Sequence, residues 1–157
     1  MRLNALGFDD GSDIPIRFTC DGANVSPGLQ WTAAQAEAES FVLIADDPDA
    51  PGKTWLHWLV YDLPASEHEL PEGVAPKGTL PSGAHQGRND FGKIGYGGPC
   101  PPPGPPHRYH FALYALDKRL DLRPGATRVQ VERAMAGHVL AHAELIGQYS
   151  RQAVPVT

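Results

Sequence analysis

A run of prolines and glycines from Gly97 to Pro106 constrains the fold of this chain more than any other segment. Proline fixes the backbone φ angle and lacks an amide donor, so the run is excluded from helix interiors and central strands. It ends a longer region, Pro64 to His107, that is rich in turn-forming residues. Because long ordered loops in small domains are often functional, we expect this region to contribute to a binding site.

Three segments outside this region have the composition of β-strands. Ser40–Asp46 is almost continuously apolar, which is typical of a strand buried on both faces. Trp55–Leu63 and Tyr109–Leu116 are rich in aromatic and aliphatic residues. In the second segment alternation predicts two faces, one with Trp55, His57, Leu59 and Tyr61 and the other with Leu56, Trp58 and Val60.

One helix start is clearly marked near the end of the chain. Thr127 followed by Gln130 matches a capping box, which predicts a helix that begins after Thr127. For Leu140–Ser150 periodicity leaves a helix and a strand both open. Strands dominate, so we predict a mainly β fold with a minor helical part. A chain of 157 residues suits a single domain with one core, residues 1–157.

Composition and charge argue against several classes of function. The formal net charge is −5 and no block of basic residues occurs, so we predict no nucleic-acid partner and no polybasic membrane anchor. The longest apolar run, Phe41–Ala45, is too short for stable membrane insertion. The first residues lack the apolar stretch of a signal peptide, which predicts a cytoplasmic protein. In that reducing compartment we expect Cys20 and Cys100 to be free thiols, although their turn-rich settings also allow a disulfide.

Polar residues at strand ends are the candidates for chemistry. Asp46 to Pro51 is a proline-stiffened turn with several carboxylates, which forms either a binding loop or a turn with solvated acids. His57 lies within an aromatic strand, where a buried core histidine is the alternative interpretation. His107-Arg108 enters a strand and could bind an anion, or Arg108 could pair with an aspartate. The glycines of Gly95–Pro99 could form a nest of amides for an anion.

Several catalytic and metal-binding motifs are missing from the sequence. The Gly-rich segment lacks the Gly-Lys-Ser/Thr ending of a P-loop, and there is no Gly-x-Ser-x-Gly, Cys-x-x-Cys or His-Glu-x-x-His. His57, His107, Asp47 and Asp49 could in principle form a metal site. We nevertheless predict no metal, no cofactor and no enzymatic activity, and keep a hydrolase with His57 or His107 as base as the alternative.

Together these residues resemble the phosphatidylethanolamine-binding protein family. Its two signature blocks are matched by Asp47-Pro48-Asp49-Ala50-Pro51 with the strand of His57, and by Gly98-Pro99 followed by His107-Arg108-Tyr109. Other stretches match the bacterial, kinase-inhibitor-like branch, in order and with compatible spacing. They include Phe18-Thr19-Cys20-Asp21-Gly22, Gln86-Gly87, Asn89-Asp90-Phe91-Gly92, Tyr114-Ala115-Leu116-Asp117 and Gly147-Gln148-Tyr149-Ser150-Arg151.

The resemblance implies a fold and a set of site residues. A large central β-sheet would pack against a smaller sheet with a few short helices, and Leu140–Ser150 would be the final strand. A helix that covers the pocket at the C-terminus of animal members would be missing. The implied pocket holds a phosphate-like anion, with Arg108 as structural support. It would be lined by Asp47, Asp49, His57, Gly98, Pro99, His107 and Tyr109.

The resemblance also implies roles for these residues. The two histidines and the Gly98 amide would donate to the anion, and Asp47 would orient a histidine or an amine of the ligand. Because Asp47 and Asp49 would favour a charged histidine, we expect anion binding to weaken as pH rises.

The predicted function is a non-catalytic binding protein for phosphorylated or carboxylated small ligands, which include a phospholipid headgroup. The main alternative is a protein inhibitor whose partner is a kinase or a peptidase, and nothing in the sequence separates the two. We also expect a homodimer, because two-fold symmetry is the commonest closed arrangement.

Overall fold

The structure is a computed structural model, and it describes residues 1–32 and 37–151. These residues form eight β-strands, one α-helix and a single 3-10 turn at Ile16–Phe18. In chain order the elements are β1 (Leu3–Leu6), β2 (Gly28–Trp31), β3 (Ser40–Asp47), β4 (Trp55–Pro64), β5 (Glu69–Leu70), β6 (His85–Gln86), β7 (His107–Leu116), α1 (Arg128–Met135) and β8 (Val139–Tyr149). The mainly β fold class is confirmed.

The strands form two antiparallel sheets of unequal size. The large sheet has five strands in the order β6-β4-β3-β7-β8, and the small sheet has three in the order β1-β2-β5. This is the arrangement that the sequence resemblance implied. β8 is the final strand and pairs with β7 over the whole length of β7, so the ambiguity between helix and strand is resolved.

Apolar side chains cover both faces of the large sheet. On one face Phe41 packs against Trp31 of the small sheet, and Phe111 of the same cluster packs against Phe8. On the other face Val131 of α1 packs against a second cluster that includes Val42. Both faces of β3 are therefore buried, which explains its continuous apolar sequence.

The helix begins and ends where local signals place it. Thr127 Oγ1 accepts a hydrogen bond from the Gln130 amide at 3.3 Å, and Gln130 Oε1 accepts one from the Thr127 amide at 2.9 Å. The predicted capping box is therefore confirmed. Gly137 follows the last turn with a φ of 81°, a conformation that favours glycine and ends the helix before β8.

A β-bulge interrupts β4 at His57. Ala45 pairs with Trp58, but the next residue of β3, Asp46, pairs with Leu56. His57 is the extra residue between these two pairs. A bulge of this kind changes the face on which neighbouring side chains lie, and such bulges often occur beside functional sites.

Because of this bulge, the predicted alternation along β4 holds from Trp58 onwards but is wrong for Leu56 and His57. Leu56 shares the helix-covered face with Leu59 and Tyr61, whereas Trp58 packs between the two sheets. His57 lies on the same side as Tyr109, and their ring centroids are 5.3 Å apart. The bulge thus moves the histidine away from the helix-covered face of the sheet.

Cys20 and Cys100 form a disulfide, so the prediction of two free thiols is wrong. The fold brings the segment after the 3-10 turn against the proline-rich run, where the Cys20 amide donates to the Pro99 carbonyl at 3.1 Å. The two cysteines are 80 positions apart in sequence, and neither local pattern indicated this pairing. Stable disulfides are typical of oxidising compartments. The cytoplasmic location stays a prediction, and a disulfide is unusual in that reducing compartment.

Within the described residues, no helix has the length and apolar character needed to cross a bilayer. The homodimer stays a prediction, since the structure contains one chain. The single domain also stays a prediction, and its last residues, 152–157, lie outside the described residues.

Removing the disulfide should destabilise the fold. Because the bond links Cys20 to Cys100 across 80 positions, replacing both by serine should lower the free energy of unfolding by about 4 kcal/mol. Urea denaturation of the variant and the wild type measures this difference. A thiol assay on the denatured wild type should detect no thiol before reduction and both thiols after it. Thiols that react without prior reduction would contradict the bond.

Candidate functional site

The ends of three neighbouring strands meet at a cavity of about 220 Å³. β3 runs antiparallel to both β4 and β7, so the last residue of β3 lies beside the first residues of the other two. Four of the predicted site residues line this cavity. They are Asp47 of β3, His57 of β4, and His107 and Tyr109 of β7.

Asp47 and His107 form a buried pair at the edge of the cavity. The Asp47 side chain is almost fully buried, and its Oδ2 accepts a hydrogen bond from His107 Nδ1 at 2.7 Å. Its Oδ1 accepts the amide of Asp49 at 2.8 Å, which closes the turn after β3. A neutral His107 therefore carries its proton on Nδ1 and leaves Nε2 unprotonated. Asp47 orients the imidazole, as the resemblance implied.

His57 is held in the same way by a backbone carbonyl. The residue is only 5% exposed, and its Nδ1 lies 2.6 Å from the Gly97 carbonyl oxygen, to which the neutral ring donates. Burial lowers the pKa of His57, and this effect exceeds the opposite effects of the Gly97 carbonyl and the Asp47 charge. The charge of Asp47 favours the protonated ring, as expected, but it does not outweigh the effect of burial. In the free protein His57 is neutral at pH 7.

Tyr109 lies between the two histidines. Its ring meets His57 edge to face, with centroids 5.3 Å apart, and stacks beside His107 at 6.4 Å. Its hydroxyl is buried near the Asp47 carboxylate but forms no hydrogen bond of normal geometry within the described residues, and Nε1 of Trp55 is likewise buried without a partner there. Burial, followed by the charge of Asp47, raises the pKa of Tyr109, so the hydroxyl keeps its proton. The cavity is therefore lined by two side chains with buried donors that lack a partner.

The other two carboxylates of the Asp46 to Pro51 turn point elsewhere. Asp49 accepts two hydrogen bonds from the Arg108 guanidinium, at 2.9 and 3.0 Å, and one from its amide at 2.8 Å. These bonds lower the pKa of Asp49 to about 2. Asp46 pairs with Arg128 of α1 at 2.7 Å on the opposite face of the sheet. Asp49 does not line the cavity, and its bonds with Arg108 fit the structural role predicted for that arginine.

The glycine-rich loop does not present its amides to this cavity. The Gly98 amide donates to Asn24 Oδ1 at 2.8 Å, and the Gly97 amide donates to the His57 carbonyl at 2.9 Å. A Cβ atom at Gly98 would lie 2.3 Å from the Phe18 carbonyl oxygen, so glycine permits close packing here. Gly98 lines a neighbouring cavity instead, and Pro99 lines neither of the two. Gly98 and Pro99 therefore do not line the cavity, although the backbone of Gly98 lies near His57.

Sequence reasoning missed Phe91 as a residue of the site. The ring lines the cavity, is 41% exposed, and meets Trp55 and His57 edge to face at 5.6 and 5.4 Å. Gly97 leaves room for it, since a Cβ atom there would lie 2.5 Å from the ring. The available signal was an aromatic residue in a polar, glycine-containing turn of the long loop region.

A larger cavity, of about 560 Å³, lies beside β5 and has a mostly apolar lining. None of the predicted site residues lines it, and no buried polar atom that lacks a partner in the described residues belongs to its lining. Across all of the described residues, no group of three or more histidine, cysteine or acidic side chains is arranged to hold a metal ion. This includes the alternative metal set of His57, His107, Asp47 and Asp49.

Comparisons with known proteins agree with this architecture. Residues 5–150 match the sequence profile described as phosphatidylethanolamine-binding protein. A protein of Methanothermobacter thermautotrophicus named UPF0098 is 53% identical over 151 residues, which cover 96% of this chain and 99% of that protein. The crystal structure of E. coli YbcL, titled a new member of the mammalian PEBP family, has a TM-score of 0.89 and 34% identity over 96% of this chain and 98% of its own. CT736 of Chlamydia trachomatis, titled a PEBP homologue, has a TM-score of 0.87 and 40% identity over 96% and 97% of the two chains. The chain belongs to the phosphatidylethanolamine-binding protein family.

Proposed function

We propose that this protein binds a small phosphate-like anion, phosphorylated or carboxylated, in the cavity lined by Asp47, His57, His107 and Tyr109, and performs no chemistry on it. The observation that carries this proposal is the convergence of His57 and His107 on one cavity, each with Nδ1 bound within the protein and Nε2 left for a ligand. The ring of Tyr109 lies between them, and its buried hydroxyl, near Asp47 but without a hydrogen bond of normal geometry in the described residues, is a further donor. A buried donor without a partner costs free energy, and an anion oxygen is a suitable acceptor for it.

The histidines can receive an anion only together with a proton. Both Nδ1 atoms are already engaged, by the Gly97 carbonyl and by Asp47, so Nε2 of each ring is the atom left for a ligand. An unprotonated Nε2 repels an anion oxygen. Binding therefore requires either a proton on Nε2 or a protonated phosphate oxygen that donates to it. Since no lysine or arginine lines the cavity, this proton also reduces the net negative charge of the complex.

The cavity offers little for catalysis. Its lining contains no serine or threonine, and its one cysteine, Cys100, is in the disulfide. The Asp47–His107 pair resembles the orienting half of a catalytic triad, yet the cavity lining offers no serine, threonine or free cysteine as the nucleophile of such a triad. This supports a binding role over the hydrolase alternative.

The origin of the anion is open to experiment. The family's description names phosphatidylethanolamine, whose headgroup carries a phosphodiester, and phosphorylated metabolites carry a similar group. Titration with a soluble phosphate ester and with vesicles of phosphatidylethanolamine separates these sources. The inhibitor alternative, in which a kinase or peptidase supplies the anion, stays a prediction, and pull-down from cell extract with an Asp47→Ala control tests it.

Phosphate binding should weaken as pH rises. Burial lowers the pKa of His57, so this ring is neutral in the free protein. To donate to the anion from Nε2 the ring has to gain a proton, so the complex should hold one more proton than the free protein. Between about pH 6 and about pH 8.5 we expect calorimetry to show an affinity loss of roughly tenfold or more, the range for one charged hydrogen bond. Sulfate is the matched control, because it carries no proton at these pH values. The pH dependence of sulfate binding therefore reports only on protonation of the histidines. Equal or tighter phosphate binding at the higher pH would contradict a protonated complex.

Replacing Tyr109 by phenylalanine should separate binding from stability. We expect phosphate affinity to fall by roughly threefold to tenfold, since one neutral hydrogen bond is lost. The free energy of unfolding should stay unchanged or rise by about 1 kcal/mol, because the hydroxyl is unpaired when buried. Tyr114→Phe, on the opposite face of the same strand, is the control and should leave phosphate affinity unchanged. A Tyr109→Phe variant that loses stability and keeps its affinity would make the hydroxyl structural.

The purified protein should not hydrolyse simple esters. Because the cavity lining contains no serine, threonine or free cysteine that a histidine could activate, we expect aryl phosphates and aryl acetates to be cleaved at the background rate. Turnover that persists through further purification and disappears in a His57→Gln variant would show an enzyme instead.

A further inference from the structure

We propose that a second cavity beside the anion site takes a second anionic group of the same ligand, and that Lys93 recognises this group. This inference rests on the proposed function of the first cavity. The second cavity has a volume of about 270 Å³ and is lined by Asn24, Lys93 and Gly98, among others. Phe91 and Cys100 line both cavities, so the Phe91 ring and the disulfide form the shared wall between them.

One turn positions both the shared wall and the lysine. The side chain of Asn89 is buried, and its Oδ1 accepts the amides of Phe91 at 2.9 Å and Lys93 at 3.2 Å. Its Nδ2 donates to the Gly95 carbonyl at 2.9 Å, which ties the turn to the glycine-rich loop. The position of Lys93 relative to the first cavity is therefore set by a buried side chain, although Lys93 itself is exposed.

The charge of the second cavity favours an anion. Lys93 forms no ion pair in the part of the chain that the structure describes. No aspartate or glutamate belongs to the lining of this cavity. Asn24 adds an amide whose oxygen is used by the Gly98 amide, which orients its NH₂ group as a remaining donor. The first cavity by contrast has no lysine or arginine, so only the second contributes a fixed positive charge.

These features select a class of ligand. The first cavity takes one phosphate-like group, and Lys93 and Asn24 in the second take another. The exposed ring of Phe91 between them provides an apolar surface for a short linker. A linear bisphosphate has this chemistry, whereas a simple monophosphate uses only the first cavity.

Matched pairs of ligands test the proposal. Short alkane-diyl bisphosphates of increasing length are titrated by calorimetry against alkyl monophosphates of the same length. For the best length we expect the bisphosphate to bind roughly tenfold more tightly, the effect of one charged hydrogen bond. Lys93→Gln should reduce the affinity for the bisphosphate to that for the monophosphate and leave monophosphate binding unchanged. Lys118→Gln, which makes the same charge change at the far end of β7, should alter neither.

The outcomes separate this inference from the function on which it rests. If the two ligands bind equally at every length, and both lose affinity in a His107→Asn variant, the second subsite is wrong and the anion site stands. If neither ligand binds, both proposals are wrong. A gain for the bisphosphate that Lys93→Gln leaves intact would also overturn the role of the lysine. Repeating the titration with vesicles that contain a lipid with two phosphate groups distinguishes a lipid source from a soluble one.

Discussion

The buried carboxylate of Asp47 is the constraint on which the site depends. A charge with 3% exposure is costly unless its oxygens are paired, and both are used, one by His107 and one by the Asp49 amide. The first bond holds the start of β7 beside the end of β3 and fixes which nitrogen of His107 keeps the proton. The second shapes the turn that directs Asp49 to Arg108. Removing the carboxylate would therefore release a strand end, an imidazole and a loop together.

The glycine-rich loop contributes an acceptor where a set of donors was expected. The amides of Gly97 and Gly98 donate hydrogen bonds to other groups of the protein, and the Gly97 carbonyl accepts a hydrogen bond from Nδ1 of His57. This reverses the chemistry of the loop. A nest of amides would bind an anion at any pH. A carbonyl that accepts a hydrogen bond from Nδ1–H leaves Nε2 unprotonated, so the proposed anion binding would depend on proton uptake.

The sequence predicted the features that local patterns encode. Composition and apolar runs located three of the four long strands, the capping box located α1, and the resemblance correctly implied the fourth, β8, as the final strand. The sequence did not predict the bulge at His57, because a bulge depends on how β4 pairs with β3 and not on β4 alone. The Cys20–Cys100 bond and the contact between Asn24 and Gly98 join segments 80 and 74 positions apart, for which no local signal exists. Phe91 was missed for a related reason, since its place at the site depends on contacts with Trp55 and His57 of β4, which lie far from it in sequence.

The strand residues and the loop residues around the cavity are held in place by different interactions. His57, His107 and Tyr109 lie on strands whose neighbours are packed in the core, so their positions follow from hydrophobic burial. Phe91 and the proline-rich run lie on loops that contribute few side chains to the hydrophobic core. There the disulfide, the prolines and buried amide side chains such as Asn89 hold the backbone in place. Prolines and cross-links act largely by reducing the freedom of the unfolded chain, so the loops are ordered before any ligand arrives. Under the proposed function, binding would then spend little free energy on ordering the protein, so a few hydrogen bonds in a small cavity would suffice.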